Sequence, residues 1–147
     1  MDLNQDFKEF VQLLNRNNVE YLVVGGYAVT LHGYPRYTGD IDFWIKPEVH
    51  NASAVLKSLD EFGFGGVDIS IDDLIQPDNV IQLGFPPNRI DILTGVSGVE
   101  FEECWKEKVE IKIEGEIIHF ISLHHLRINK RSTGRTQDNL DLENLPE

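Results

Sequence analysis

Asp40 and Asp42 stand two residues apart in the run Gly39-Asp40-Ile41-Asp42-Phe43-Trp44-Ile45. If that run is a strand, both carboxylates leave one face while Ile41 and Phe43 leave the other. Side-by-side carboxylates repel, so keeping both ionised requires a cation, hydrogen bonds or good solvation. Hard divalent cations such as Mg²⁺ or Mn²⁺ take carboxylate oxygens together with substrate phosphates, which makes the pair suited to cradle one. A strand with a wet face explains the same pair without chemistry. Upstream, Gly25-Gly26 precede Asp40 by thirteen intervening residues, 27 to 39. Without Cβ atoms the backbone there can approach a phosphate, and the first N–H groups of a following helix can receive its oxygens. A plain tight turn is the other reading. A third carboxylate, Asp91, lies in Arg89-Ile90-Asp91-Ile92-Leu93, flanked by isoleucines that face the core. It meets the first two if its strand neighbours theirs.

The elements that must hold these residues follow from periodicity. Phe7, Phe10, Val11, Leu13 and Leu14 recur at helical spacing and predict an amphipathic helix from about Asn4 to Asn17. Tyr21 to Val24 is a short apolar strand that stops at Gly25-Gly26, and Tyr27 to His32 suit a short helix. Pro35 to Gly39 form a turn and Asp40 to Ile45 a second strand. Pro47 opens a helix whose apolar positions run towards Phe62. Residues 63 to 78, Gly-rich and then acidic, are assigned only as loop, with room for one short helix around Asp72 to Leu74. Val80 to Phe85 and Arg89 to Leu93 read as strands joined through Pro86-Pro87-Asn88, and Phe101 to Lys108 as a helix. Val109 to Ile113 and Glu116 to Ile121 form a hairpin around Glu114-Gly115. Ser122 caps a helix reaching about Ser132, and Gln137 to Leu145 form a last one. The order predicts an α/β (α+β) fold, a mixed sheet with helices packed against it. Length and composition predict one domain over residues 1–147, with a short helical tail from about residue 122.

A net charge of −12 argues against a general basic surface for nucleic acid. Arg127 to Arg135, RINKRSTGR, nevertheless holds four of the thirteen basic residues and no acid, so it could receive a compact polyanion. A solvated basic helix face is the bland alternative. The apolar runs fall far short of the roughly 20 residues of a membrane span, and the N-terminus from Met1 lacks the features of a secretory signal. The single Cys104 cannot form an intrachain disulfide, which points to a reducing cytoplasm, and it reads as packing rather than as a nucleophile. His124-His125 offer no metal-ligand pattern.

Val24-Gly25-Gly26, thirteen residues and then Asp40-Ile41-Asp42-Phe43 resemble the DNA polymerase β-type nucleotidyltransferase superfamily. Within it, Tyr21 to Ile45, including Arg36, Thr38 and Asp40, is similar to the AbiEii-like and minimal nucleotidyltransferase branch, as is the tail Leu126 to Leu142. The resemblance implies that Asp40 and Asp42 bind metal ions, that Asp91 completes the catalytic site and helps to activate an acceptor hydroxyl, and that Gly25 and Gly26 hold a nucleoside triphosphate. Arg36 and Thr38 join the nucleotide site, and Lys130, Arg131 and Arg135 are candidates for the triphosphate tail. A helix cap or ion pairs with Asp138 and Asp141 explain those basic residues equally well. The implied reaction transfers a nucleoside monophosphate to a hydroxyl and releases pyrophosphate. Residues 122–147 offer no separate acceptor-binding domain, so the acceptor is a protein, an RNA end or a small molecule. A competing reading is a nucleotide-binding partner or regulator in a toxin–antitoxin type pair. A glycosyltransferase using Asp-x-Asp is disfavoured by the short chain and the Gly-Gly placement.

Overall fold

The computed structural model describes residues 3–147; residues 1–2, the first of the stretch read against a secretory signal, lie outside them. Helix α1 (Gln5–Arg16) begins where the Asn4 side chain accepts a hydrogen bond from the Asp6 N–H, and it buries Phe7, Phe10, Val11 and Leu14. Strand β1 (Tyr21–Val24) is buried along its whole length. Helix α2 (Gly25–Leu31) follows without a break, and strand β2 covers Asp40–Ile45. Helix α3 (Val49–Leu59) starts two residues after Pro47, capped by the Glu48 carboxylate on the Asn51 N–H. It passes at Leu59 into a π-helical turn, Asp60–Phe64, in which Gly63 takes φ 108°. The short helix for which residues 63 to 78 left room around Asp72 to Leu74 is α4 (Ile71–Ile75), started by a reciprocal cap between Ser70 and Asp73. Strands β3 (Val80–Leu83) and β4 (Arg89–Leu93), helix α5 (Phe101–Lys106), strands β5 (Val109–Ile113) and β6 (Glu116–Phe120), and helices α6 (Leu123–Thr133) and α7 (Thr136–Asn144) complete the chain. Strand β3 stops two residues earlier than its apolar run predicts, because Gly84 turns to φ 79°.

The six strands form one mixed sheet in the order β3-β4-β2-β1-β6-β5. Strand β2 runs antiparallel to β1 and parallel to β4, and β6 lies parallel to β1 on its other side. One sheet face presents Tyr21 and Phe43 to α1, with Phe43 5.6 Å from Tyr21 and 5.3 Å from Phe10, centroid to centroid. Burying each such side chain contributes on the order of 1.5–3 kcal/mol. The other face carries Asp40, Asp42 and Trp44, and Trp44 meets Phe101 of α5 edge-on at 5.2 Å. Buried Asn51 accepts from the Glu20 N–H and donates to the carbonyls of Glu20 and Lys46. It thereby fastens the start of β1 to the end of β2 and fixes their register. Among the described residues, no helix is long and apolar enough to cross a membrane. Cys104 is buried, in keeping with a packing role.

Candidate active site

The register decides which carboxylates meet. Across the parallel β2–β4 pair, Asp42 stands opposite Asp91 and Asp40 opposite Arg89. One oxygen from each of Asp40, Asp42 and Asp91 lies within 4.8 Å of the others. The strand alternation that puts Asp40 and Asp42 on one face does the same for Arg89 and Asp91, so four charged side chains share one small area. The Arg89 guanidinium donates from Nη2 to Asp40 Oδ2 at 2.7 Å, from Nε to Asp91 Oδ1 at 2.9 Å and from Nη2 to Asp91 Oδ2 at 3.1 Å. Thr38 Oγ1 donates to Asp40 Oδ1 at 2.8 Å.

Three carboxylates against one guanidinium leave a surplus of negative charge, and Asp42 relieves it by holding its proton. Burial, then the charges of Asp40 and Asp91, push the Asp42 carboxyl up to about 8. Burial also raises Asp91, against the opposing hydrogen bond from Arg89. In Asp40, burial is outweighed by hydrogen bonds from Thr38, Asp91 and Arg89, and the carboxyl lies below its ordinary value. The donor set is all hard oxygen, close-packed and under-neutralised, which fits a divalent cation of the Mg²⁺ or Mn²⁺ kind. Arg89 already engages Asp40 and Asp91, so a cation seated there would share those carboxylates with its guanidinium.

Gly25 has φ +68°, and a Cβ at that position would fall 2.0 Å from Asp42 Oδ2. Its missing side chain thus makes room first for the Asp42 carboxylate. A Cβ at Gly26 would stand 2.9 Å from Thr38 Cβ. Together these glycines let α2 press against β2 and the loop before it. The resulting cleft, about 220 Å³, is lined by Gly25, Gly26, Arg36, Thr38, Lys130 and Arg135 along with Asp40 and Asp42.

Of the alternatives the sequence leaves open for the basic segment, ion pairs with Asp138 and Asp141 are the one found for Lys130 and Arg135, and the solvated helix face is not found at Lys130. Lys130 is buried, not solvated: its Nζ lies 2.7 Å from Asp138 Oδ1 and 3.1 Å from Asp141 Oδ2. Asp141 also receives Arg36 through Nε at 2.9 Å and Nη2 at 3.1 Å, and Asp138 receives Arg135 Nε at 2.8 Å. The segment contains no acids, but α7 folds back and supplies them. Arg131 is not brought to the cleft. One residue beyond Lys130, it sits roughly 100° further round α6, and it is exposed. Arg89 is the functional residue that sequence reasoning passed over, although it stands in the same Arg-Ile-Asp run as Asp91 and obeys the same two-residue spacing.

A family model for nucleotidyltransferases of unknown function, DUF6036, matches residues 1–145. The chain belongs to this nucleotidyltransferase family. No curated protein matches it. Among solved structures, TM1012 of Thermotoga maritima, a candidate nucleotidyltransferase, is 17% identical over 93% of this chain and 88% of that one, with a TM-score of 0.63. That likeness is one of fold. ANT(2″)-Ia, solved in complex with adenylyl-2″-tobramycin, is 14% identical over 93% of this chain and 92% of that one, with a TM-score of 0.47. As a nucleotidyltransferase the chain belongs to a class of enzymes that act on nucleoside triphosphates and generally use divalent metals, and its aspartate cluster could hold one.

Proposed function

We propose that residues 1–147 form a single nucleotidyltransferase domain that moves a nucleoside monophosphate from a triphosphate to an acceptor hydroxyl at Asp40, Asp42 and Asp91. The observation that carries this reading is the convergence of three carboxylate oxygens within 4.8 Å, with Asp42 left without a basic partner among the described residues. Asp40, Asp42 and Asp91 would hold Mg²⁺ or Mn²⁺. Such a cation neutralises phosphate charge and stabilises the entering and leaving oxygens of an in-line displacement. Gly25, Gly26 and Thr38 bound the space for the triphosphate, and Arg36 and Arg135 line the same cleft and bring positive charge to it. Lys130 then acts at one remove, as a positioning residue, because it fixes the two aspartates that orient those arginines. Asp91, whose carboxyl is already raised, accepts the proton of the attacking hydroxyl. The hydroxyl oxygen forms a bond to the α-phosphorus, the bond from that phosphorus to the bridging oxygen breaks, and pyrophosphate departs.

The run 21–45 and the linked set Lys130, Arg135, Asp138 and Asp141 support placing the chain in the AbiEii-like and minimal nucleotidyltransferase branch, and with it an acceptor that is a protein, an RNA or a small molecule. A cytoplasmic location belongs to the same reading, whereas a role in a toxin–antitoxin type pair belongs to the competing one, a nucleotide-binding partner or regulator. The test is release of pyrophosphate from the four ribonucleoside triphosphates with Mg²⁺ or Mn²⁺, in the presence of candidate acceptors. Wild type should release it with at least one pair, and Asp91→Asn should bind nucleotide yet release none. Equal turnover in both would remove Asp91 from the chemistry.

A further inference from the structure

A hollow of about 380 Å³ adjoins the catalytic cleft, and Arg36 and Thr38 line both. Its other walls are Tyr27 and Thr30 from α2, Tyr37 from the loop before β2, Pro87 from the β3–β4 turn, and the amide of Asn4 at the start of α1. Tyr37 is 78% exposed and Phe85 84%. The other exposed large hydrophobic residues among those described are aliphatic. Tyr37 and Pro86 flank Gly39, directly before Asp40. A Cβ at Gly39 would lie 3.3 Å from the Tyr37 hydroxyl and 2.9 Å from Pro86, the neighbour of Phe85. Half-buried Tyr27 packs edge-on against Phe7 at 5.6 Å, and its hydroxyl is pushed up by burial and by the charges of Asp40 and Tyr37, which marks its place at the Asp40 end of the cleft.

We infer that this hollow seats the nucleobase of the donor triphosphate, stacked on Tyr37 and bounded by Pro87, with Tyr27 and Thr30 facing its polar edge. The inference rests on the nucleotidyl-transfer reading and adds to it the place where the base is held. A base has a flat π-face that any exposed aromatic ring can accept, and hydroxyls that both donate and accept suit the mixed edge of a base. Topology separates this hollow from the acceptor side. Tyr27 and Thr30 stand on α2, which continues β1, whereas Asp91 stands on β4, across β2 from β1. A triphosphate lying between Gly25 and Arg36 therefore has its base within reach of Tyr37 while the acceptor hydroxyl comes from the Asp91 side.

Calorimetric titration of the whole chain with each Mg²⁺-nucleoside triphosphate and with Mg²⁺-tripolyphosphate tests this. Wild type should bind at least one nucleotide more tightly than tripolyphosphate. Tyr37→Ala should weaken that nucleotide about tenfold, near the low end for one base–aromatic stack, and leave tripolyphosphate unchanged. Tyr37→Phe should keep wild-type affinity, and Tyr27→Phe with Thr30→Val should change the ranking among the four bases. Unaltered nucleotide binding by Tyr37→Ala overturns the base site and leaves nucleotidyl transfer standing. A loss confined to a short oligoribonucleotide would put an acceptor base there and overturn the donor assignment. Failure of wild type to bind either nucleotide or tripolyphosphate would overturn the base site and the nucleotidyl-transfer reading together.

Discussion

Two charged clusters face each other across the catalytic cleft, and they are built on opposite principles. Asp40 and Asp91 share one guanidinium, that of Arg89, while Asp42 has no basic partner among the described residues, and burial and then the charges of its two neighbours push it up to about 8. In the second cluster Asp138 and Asp141 meet Lys130, Arg36 and Arg135, and the buried carboxylates are fully paired. There, burial would raise Asp138, but hydrogen bonds from Lys130 and Thr133 hold it below its ordinary value. A cluster with an unpaired carboxylate has affinity to offer a cation, and one whose carboxylates are all paired has rigidity to offer its neighbours. The contrast separates the groups expected to touch metal and phosphate from the group that holds them in place.

The largest expected effect lies in the fully paired cluster. Lys130→Ala leaves two buried carboxylates without their shared cation and should destabilise the protein by about 3–5 kcal/mol, read by chemical denaturation. A melting curve unchanged from wild type would show Lys130 to be free in solution, and the comparison would collapse.

Asp42→Asn should act with the opposite sign in metal-free protein. The folded value of about 8 lies above the ordinary 3.8, so the folded state holds a proton that the unfolded state gives up. Stability linked to Asp42 is therefore complete below about pH 4 and is lost as pH rises through 8. Asparagine removes that slope: the variant should melt higher than wild type at pH 8.5 and level with it near pH 4. A variant that melts lower at both would mean that Asp42 stabilises the fold as an anion.

Arg89→Gln is a smaller change because the residue is partly exposed. It should cost about 1 kcal/mol in the absence of metal, and Mg²⁺ should restore more stability to the variant than to wild type, since the cation no longer competes with a guanidinium. Equal Mg²⁺ stabilisation of both would separate Arg89 from the metal site. Smallest of all, Arg131→Ala should stay within about 0.5 kcal/mol of wild type and bind nucleotide normally. Weaker triphosphate binding would return Arg131 to the site.

Strict alternation along a strand made Asp40 and Asp42 legible as one face, but their meeting with Asp91 depends on β4 lying beside β2, which spacing does not encode and which the family resemblance implied. The same rule applied to Arg89 would have found it; attention to carboxylates hid a guanidinium two residues from Asp91. Lys130 was legible only as a choice between phosphate and ion pair. Its burial depends on the fold-back at Gly134, where φ 66° reverses the chain and brings Asp138 and Asp141 onto α6, a tertiary event that helical periodicity does not encode. The strands β1, β2, β4 and β5 agree with their apolar patterns to the residue. The π-helical turn and α4 do not emerge from periodicity, since only Leu74 of their ten residues is buried.

The central claim, that Asp40, Asp42 and Asp91 form a metal site for nucleotidyl transfer, is tested most directly by electron paramagnetic resonance titration of Mn²⁺ with a bound nucleoside triphosphate, for wild type and for the Asp40→Asn, Asp42→Asn double variant. Wild type should sequester Mn²⁺ with an affinity that weakens as pH falls below about 8, where Asp42 takes up its proton, and the double variant should leave the Mn²⁺ with free nucleotide. Sequestration by the double variant at wild-type affinity would contradict the claim.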